Sequence, residues 1–140
     1  MIIGVTGTRN GMNEIQKRNV TEFLRKSREE LEYEMFTLRH GDCVGVDAEV
    51  AKIAHDLGYV IFCHPPVDDS LRAFYDADFT ASPKNHFARN RDIVDNSDLL
   101  IVVPMDNERK TRGGTWYTYD YAMKKRIAIS VFYPDGRIGP

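Results

Sequence analysis

Five short apolar runs, at residues 2–6, 35–38, 59–63, 98–103 and 127–132, constrain this chain more than any other feature. A strand with one face in water alternates apolar and polar residues, whereas a strand covered on both faces reads as a continuous apolar run. Leu99-Leu100-Ile101-Val102-Val103 is the clearest case of the second kind. Between the runs lie amphipathic stretches at 13–31, 46–57, 85–96 and 115–125 with helical spacing of their apolar positions. In the first, Ile15, Val20, Phe23, Leu24 and Leu31 make an apolar stripe amid charged residues. In the second, Val50, Ile53, Ala54 and Leu57 share a face, and Gly58 is the stop signal. The order β-α-β-α-β-loop-α-β-α-β predicts an α/β fold, a Rossmann-like doubly wound parallel sheet of about five strands with helices on both faces. Residues 68–84 are rich in Asp, Pro and Ser and read as a long loop with a helical turn at 71–75, a length that suits a lid or ligand-binding segment. Pro134-Asp135-Gly136 is a turn. Residues 1–140 are expected to form one domain, long enough to bury a core without disulfides or a structural metal.

In such sheets ligands sit beyond the carboxyl ends of the strands, near the point where strand order reverses. The residues expected there are Gly7, Thr8 and Arg9 after the first strand, and Arg39, His40, Gly41, Asp42 and Gly45 after the second. His64 follows the third, and Arg109, Lys110, Arg112, Gly113, Gly114 and Thr115 follow the fourth. Three glycine loops with cationic neighbours thus fall on one edge of a chain whose net charge is −2. That placement favours an anionic ligand held locally. The weak overall charge argues against a nucleic-acid or membrane-surface binder, which needs a strong basic field. Nothing is apolar for long enough to span a bilayer, and the first residues carry no basic leader, so a cytoplasmic location and no membrane partner are expected. Cys43 and Cys63 then read as small buried hydrophobes. His40, Cys43, Cys63 and His64 lack the spacing of a zinc site, so no metal and no cofactor are expected.

Gly113-Gly114-Thr115 stands at the start of the last helix. Unpaired backbone N–H groups at the positive end of a helix dipole, with no Cβ in the way, form a seat for phosphate. Trp116 behind them reads either as a ring that stacks on a base or, the favoured reading, as a packing residue at the helix start against a neighbouring subunit, and Tyr117 and Tyr121, four apart on one face, read as core or interface residues.

Taken together, His40-Gly41-Asp42-Cys43-Val44-Gly45-Val46-Asp47 with Ala51 and Ala54, Arg89-Asn90 ahead of Asp98, Gly113-Gly114-Thr115 with Ala122, and the opening Gly7-Thr8-Arg9 resemble the ordered motifs of the SLOG superfamily. This Rossmann-like group includes the DNA-processing protein DprA/Smf and the LOG-type phosphoribohydrolases. The resemblance spans nearly the whole chain. It implies a site for a nucleotide or nucleotide-derived phosphate ligand, often at a homodimer face, so a homodimer or higher homo-oligomer is expected. Gly114 and Thr115 would hold phosphate, Arg89 would clamp phosphate or ribose, and Asp47 would orient its loop or accept from a ribose hydroxyl. The implied ligand-binding set is Gly7, Thr8, Arg9, Gly41, Asp42, Gly45, Asp47, Arg89, Asn90, Gly113, Gly114 and Thr115.

Two departures shape the functional expectation. LOG-type enzymes carry a glutamate where this chain has Thr118, and threonine cannot supply the carboxylate that an oxocarbenium-like cleavage of an N-glycosidic bond needs. Asp120 is about 200° around the helix from it. Ala51 stands where the DprA pattern has histidine. The leading expectation is recognition of the ligand, by sensing or sequestration. The alternative is a nucleoside 5′-monophosphate N-glycosidase or related phosphoribohydrolase using Arg89, Asp42, Asp47 or Asp120. A DprA-like DNA-binding accessory protein ranks third.

Overall fold

The computed structural model describes residues 1–140. Its elements are β1 (Ile2–Gly7), α1 (Glu14–Glu30), β2 (Thr37–His40), α2 (Val46–Asp56), β3 (Val60–Cys63), a 3-10 turn (Asp69–Leu71), β4 (Phe79–Thr80), α3 (His86–Asp95), β5 (Leu99–Val103), α4 (Gly114–Lys125), β6 (Ala128–Phe132) and β7 (Ile138–Gly139). The strands form one sheet in the order β4-β3-β2-β1-β5-β6-β7. Every pairing is parallel except β6 with β7. Strand order therefore reverses at β1, whose neighbours are β2 and β5.

The apolar runs read as expected because the sheet is covered on both sides. Along β5, Ile101 and Val103 enter one core with Val20 and Leu24 of α1 and Val50 and Ala54 of α2. Leu100 and Val102 enter a second core with Val94 of α3 and Trp116 and Ala122 of α4. Alternate residues thus face opposite apolar layers, which removes the usual polar alternation. The α1 start is fixed by a reciprocal capping box: the Asn13 side chain accepts from the Gln16 N–H (2.8 Å) and the Asn13 N–H donates to the Gln16 side chain (3.0 Å). The buried Gln16 amide then donates to the carbonyls of Pro104 (2.9 Å) and Phe132 (3.0 Å), tying together the ends of β5 and β6.

Three local expectations are corrected. The sheet has seven strands, because the two-residue β4 adds to the β3 edge and β7 folds back on β6 after the Pro134–Gly136 turn. β2 begins at Thr37, two residues later than the apolar run suggested, since Met35 is exposed and buried His40 completes the strand. The helical turn lies at Asp69–Leu71, where Asp68 caps it by accepting from the Ser70 N–H (2.9 Å). No helix is long and apolar enough to cross a membrane.

Candidate functional site

A cavity of about 760 Å³ opens where strand order reverses, between the carboxyl ends of β1 and β5. Its walls include Gly7, Thr8, Arg9, Asp47, Arg89, Asn90, Gly113, Gly114 and Thr115. Lys110 and Arg112 reach it from the loop after β5. Gly41, Asp42, Gly45 and Asp120 do not line it.

The glycines separate into two kinds. A Cβ on Gly7 would meet Val46 and, at 2.8 Å, the Val103 carbonyl. On Gly41 it would meet the Arg89 guanidinium at 2.5 Å, and on Gly45 the Thr8 carbonyl at 2.7 Å. These three are glycines because the protein itself closes on them. Gly113 has φ +106° with nothing within 4 Å of such a Cβ, and for Gly114 the nearest atom is the Asn90 Nδ2 at 3.8 Å. Of the five glycines predicted for the site, this pair leaves open space in front of the backbone. Gly113 occupies the N-cap of α4 without a side-chain cap, and the first helical bond of this turn is from the Tyr117 N–H to the Gly113 carbonyl (3.0 Å). The N–H groups of Gly114, Thr115 and Trp116 therefore have no helical acceptor.

Arg89 is 4% exposed, and its donors are directed at protein groups. Nη1 donates to the Gly41 and His64 carbonyls, Nε to Asn90 Oδ1 (2.7 Å), and Nη2 to His86 Nδ1 (3.1 Å). The clamp expected to close on phosphate or ribose closes on the loops after β2 and β3. Its charge still reaches the cavity wall. Asn90 uses its oxygen on Arg89, which leaves its Nδ2 donor beside Gly114.

Asp47 orients the β2–α2 loop. Its Oδ2 accepts from the N–H groups of Gly41 (3.0 Å) and Cys43 (3.3 Å), and Oδ1 has no protein partner. Burial pushes its carboxyl up to about 6, against the opposing pull of the Arg89 charge and the two backbone donors. Asp42 is fully buried behind the same loop, accepting from Arg72 Nε (2.7 Å) and the Tyr75 N–H (2.8 Å). It anchors residues 69–75 and offers no oxygen to a ligand. Asp120 is exposed on the outer side of α4 and pairs with Arg109. Thr118 is buried at the cavity wall and its hydroxyl donates to the Gly114 carbonyl (2.8 Å), which ties it to the glycine turn. Trp116 packs in the second core and reaches the cavity wall.

Sequence reasoning passed over Phe87, His86 and Met105, all of which line the cavity. Phe87 and Met105 are 53% and 55% exposed, and only that exposure distinguishes them from ordinary apolar positions. A different cluster, His40, Asp42 and Cys63, brings three metal-ligand types within 4.8 Å of one another. Both Asp42 oxygens are engaged and His40 Nδ1 accepts the Asp42 N–H (2.9 Å), which fixes the proton on Nε2 and turns its metal-binding lone pair off. The donor set does not suit a metal.

His40 and His64 are buried neutral, each pushed down to about 4, chiefly by desolvation and, for His64, also by the Arg39 charge. The unfolded chain takes up these protons near pH 6.5 and the folded chain refuses them until about pH 4. Stability is thus fully present above pH 6.5 and falls as pH drops towards 4. Asp47 acts in the opposite sense, since its ionisation above pH 6 costs folding energy. With two histidines against one aspartate, the thermal midpoint should fall from pH 6.5 to 4, and His64→Gln should flatten part of that slope in a pH series of melting curves.

No protein-family model matches the sequence, and no curated protein matches it. Solved structures do. The molybdenum cofactor binding protein of Rippkaea orientalis superposes with a TM-score of 0.67 at 20% identity, over 93% of this chain and 74% of that one. The molybdenum cofactor carrier protein of Chlamydomonas reinhardtii gives 0.61 at 21% identity, over 93% and 74%. DprA of Streptococcus pneumoniae gives 0.65 at 18% identity, over 92% of this chain and 49% of that one. The fold is of the SLOG type. Within the SLOG fold, the cavity of this chain occupies the strand-order reversal that Rossmann-like sheets use for ligands.

Proposed function

We propose that this chain recognises a phosphorylated small molecule, a nucleotide or nucleotide-derived compound, with its phosphate on the first turn of α4. The observation that carries this reading is the open Gly113-Gly114 turn. Three backbone N–H groups without helical acceptors face a cavity flanked by Arg9 and Arg112, neither of which has an ion-pair partner, and by Lys110. Likeness in fold to two molybdenum cofactor proteins is in keeping with a small-molecule role. Recognition is favoured over hydrolysis because Thr118 replaces a carboxylate and Asp42 and Asp120 are engaged elsewhere.

Titration calorimetry with ribo- and deoxyribonucleoside monophosphates, ADP-ribose and cyclic nucleotides tests this. Gly114→Asp has room for its side chain but puts a negative charge on the seat. It should weaken binding about tenfold to a hundredfold, the worth of one or two charge-assisted hydrogen bonds, with an unchanged melting temperature. Affinity unaffected by Gly114→Asp would place the ligand elsewhere. One observation favours a second reading, N-glycosidic hydrolysis: Asp47 keeps an open oxygen on the cavity wall and a carboxyl raised to about 6, suited to proton transfer. Release of free base with turnover, lost in Asp47→Asn, would establish it and overturn pure recognition.

A further inference from the structure

Resting on the reading above, the geometry points to Phe87 as the platform on which the ligand's planar heterocycle stacks, so that the cavity takes a nucleoside phosphate and not a phosphorylated sugar alone. A phosphate occupies only a small part of a cavity of about 760 Å³, and the remaining wall has to recognise something else. Phe87 sits in the first turn of α3 on the cavity wall with more than half of its surface exposed, so its ring is accessible to whatever enters the cavity. Its back is already supported. The ring lies 4.4 Å from that of Tyr117, centroid to centroid, and the Tyr117 hydroxyl accepts from Arg91 (2.8 Å), which holds the pair in place.

Tyr117 follows Gly114 by three positions on α4, close to one helical turn, or about 4.5 Å along the axis. The exposed ring is therefore a short step from the anion seat. Met105, on the loop after β5, offers a second exposed, polarisable apolar side chain on the same cavity wall. An exposed aromatic ring braced against a second one at a tilt of 55° matches the flat π-surface of a nucleobase, whose stacking on such rings tolerates any base. A sugar hydroxyl would gain no hydrogen bond from it.

The test compares AMP, GMP, CMP and UMP with ribose 5-phosphate, by calorimetry, on the unaltered protein, Phe87→Ala and Phe87→Trp. The unaltered protein should bind the purine nucleotides more tightly than ribose 5-phosphate. Phe87→Ala should weaken AMP and GMP about five- to hundredfold, the range of base stacking on an aromatic ring, and leave ribose 5-phosphate within about twofold, the precision of such comparisons. Phe87→Trp should restore nucleotide binding. Equal weakening of AMP and ribose 5-phosphate in Phe87→Ala, or no preference for nucleotides in the unaltered protein, would overturn the stacking role while leaving the phosphate seat standing. Nucleotide binding that depends on Phe87 but survives Gly114→Asp would keep the platform and remove the seat. If none of the five compounds binds, both readings fall. Phe87→Ala that changes only the molecular mass in solution, with affinities unchanged, would make Phe87 an interface residue and overturn the inference.

Discussion

Arg89→Ala should lower the thermal midpoint by about 10–20 °C, far more than an exposed arginine would. The guanidinium is buried and joins three segments: the Gly41 carbonyl after β2, the His64 carbonyl after β3, and Asn90 and His86 of its own helix. Truncation leaves two buried carbonyls without their donor and removes the cation that opposes the raised carboxyl of Asp47. Breaking such an arrangement from one side costs about 3–5 kcal/mol, and each kcal/mol moves the midpoint of a domain this size by roughly 4 °C. Arg89→Lys keeps the charge without the fork and should recover only part of the loss.

The deficit should also depend on pH. Asp47 has a folded value above its unfolded one, so its contribution is present at low pH and is lost as pH rises through about 6. Without Arg89 that carboxyl rises further, so Arg89→Ala should be worse at pH 8 than at pH 5.5, and Asp47→Asn should rescue it at the higher pH. A midpoint within about 2 °C of the unaltered protein, which is less than the effect of 1 kcal/mol, would mean that Arg89 fastens nothing. Because this substitution disturbs the loops themselves, loss of ligand in Arg89→Ala is no measure of direct contact.

Gly45→Ala should be nearly as damaging, by about 3 kcal/mol or more, by adding one methyl group. Gly45 has φ +88° and ψ −127°, a region closed to residues with a Cβ, and that Cβ would also lie against the carbonyls of Thr8 (2.7 Å) and Arg9. The Val46 N–H donates to the Thr8 carbonyl (3.1 Å), so the two loops cannot separate without losing a buried bond. Backbone strain contributes about 1–3 kcal/mol, and the collision adds to it. Gly113→Ala is the matched comparison, with φ +106° but open space around it, so it should pay the strain alone. Urea unfolding of both variants separates the two contributions. Equal costs would show that the Thr8–Arg9 backbone yields and that loop contact does not require a glycine at position 45.

Much of this architecture was legible in the residues. The continuous burial of Leu99–Val103 follows from apolar layers on both sides, the start of α1 from the helical spacing that begins at Asn13, and the open turn at Gly113–Gly114 from two glycines ahead of a helix. These signals are local, or depend only on which faces are covered. The two-residue β4 gave no signal of its own, since Phe79 is 59% exposed and pairs only because β3 presents an edge. Asp42 looked as available as Asp47, and Asp120 was disfavoured only by its direction on the helix, because a carboxylate's partners are not written beside it. Arg72, thirty residues on, occupies Asp42, and Arg109 occupies Asp120.

By itself the sequence determined the order of the five longer strands and the four helices, the parallel sheet and the edge on which the glycine loops gather, because burial pattern and turn chemistry act over a few neighbouring residues. Only the tertiary structure decided which glycines make room for a ligand and which make room for the protein. Gly41 is filled by an arginine whose hydrogen bond spans 48 residues, and Gly45 by the loop after β1, whereas Gly113 meets nothing and Gly114 only the Asn90 amide at van der Waals distance. A missing Cβ is the same in every glycine; what approaches it is set by segments distant in the chain.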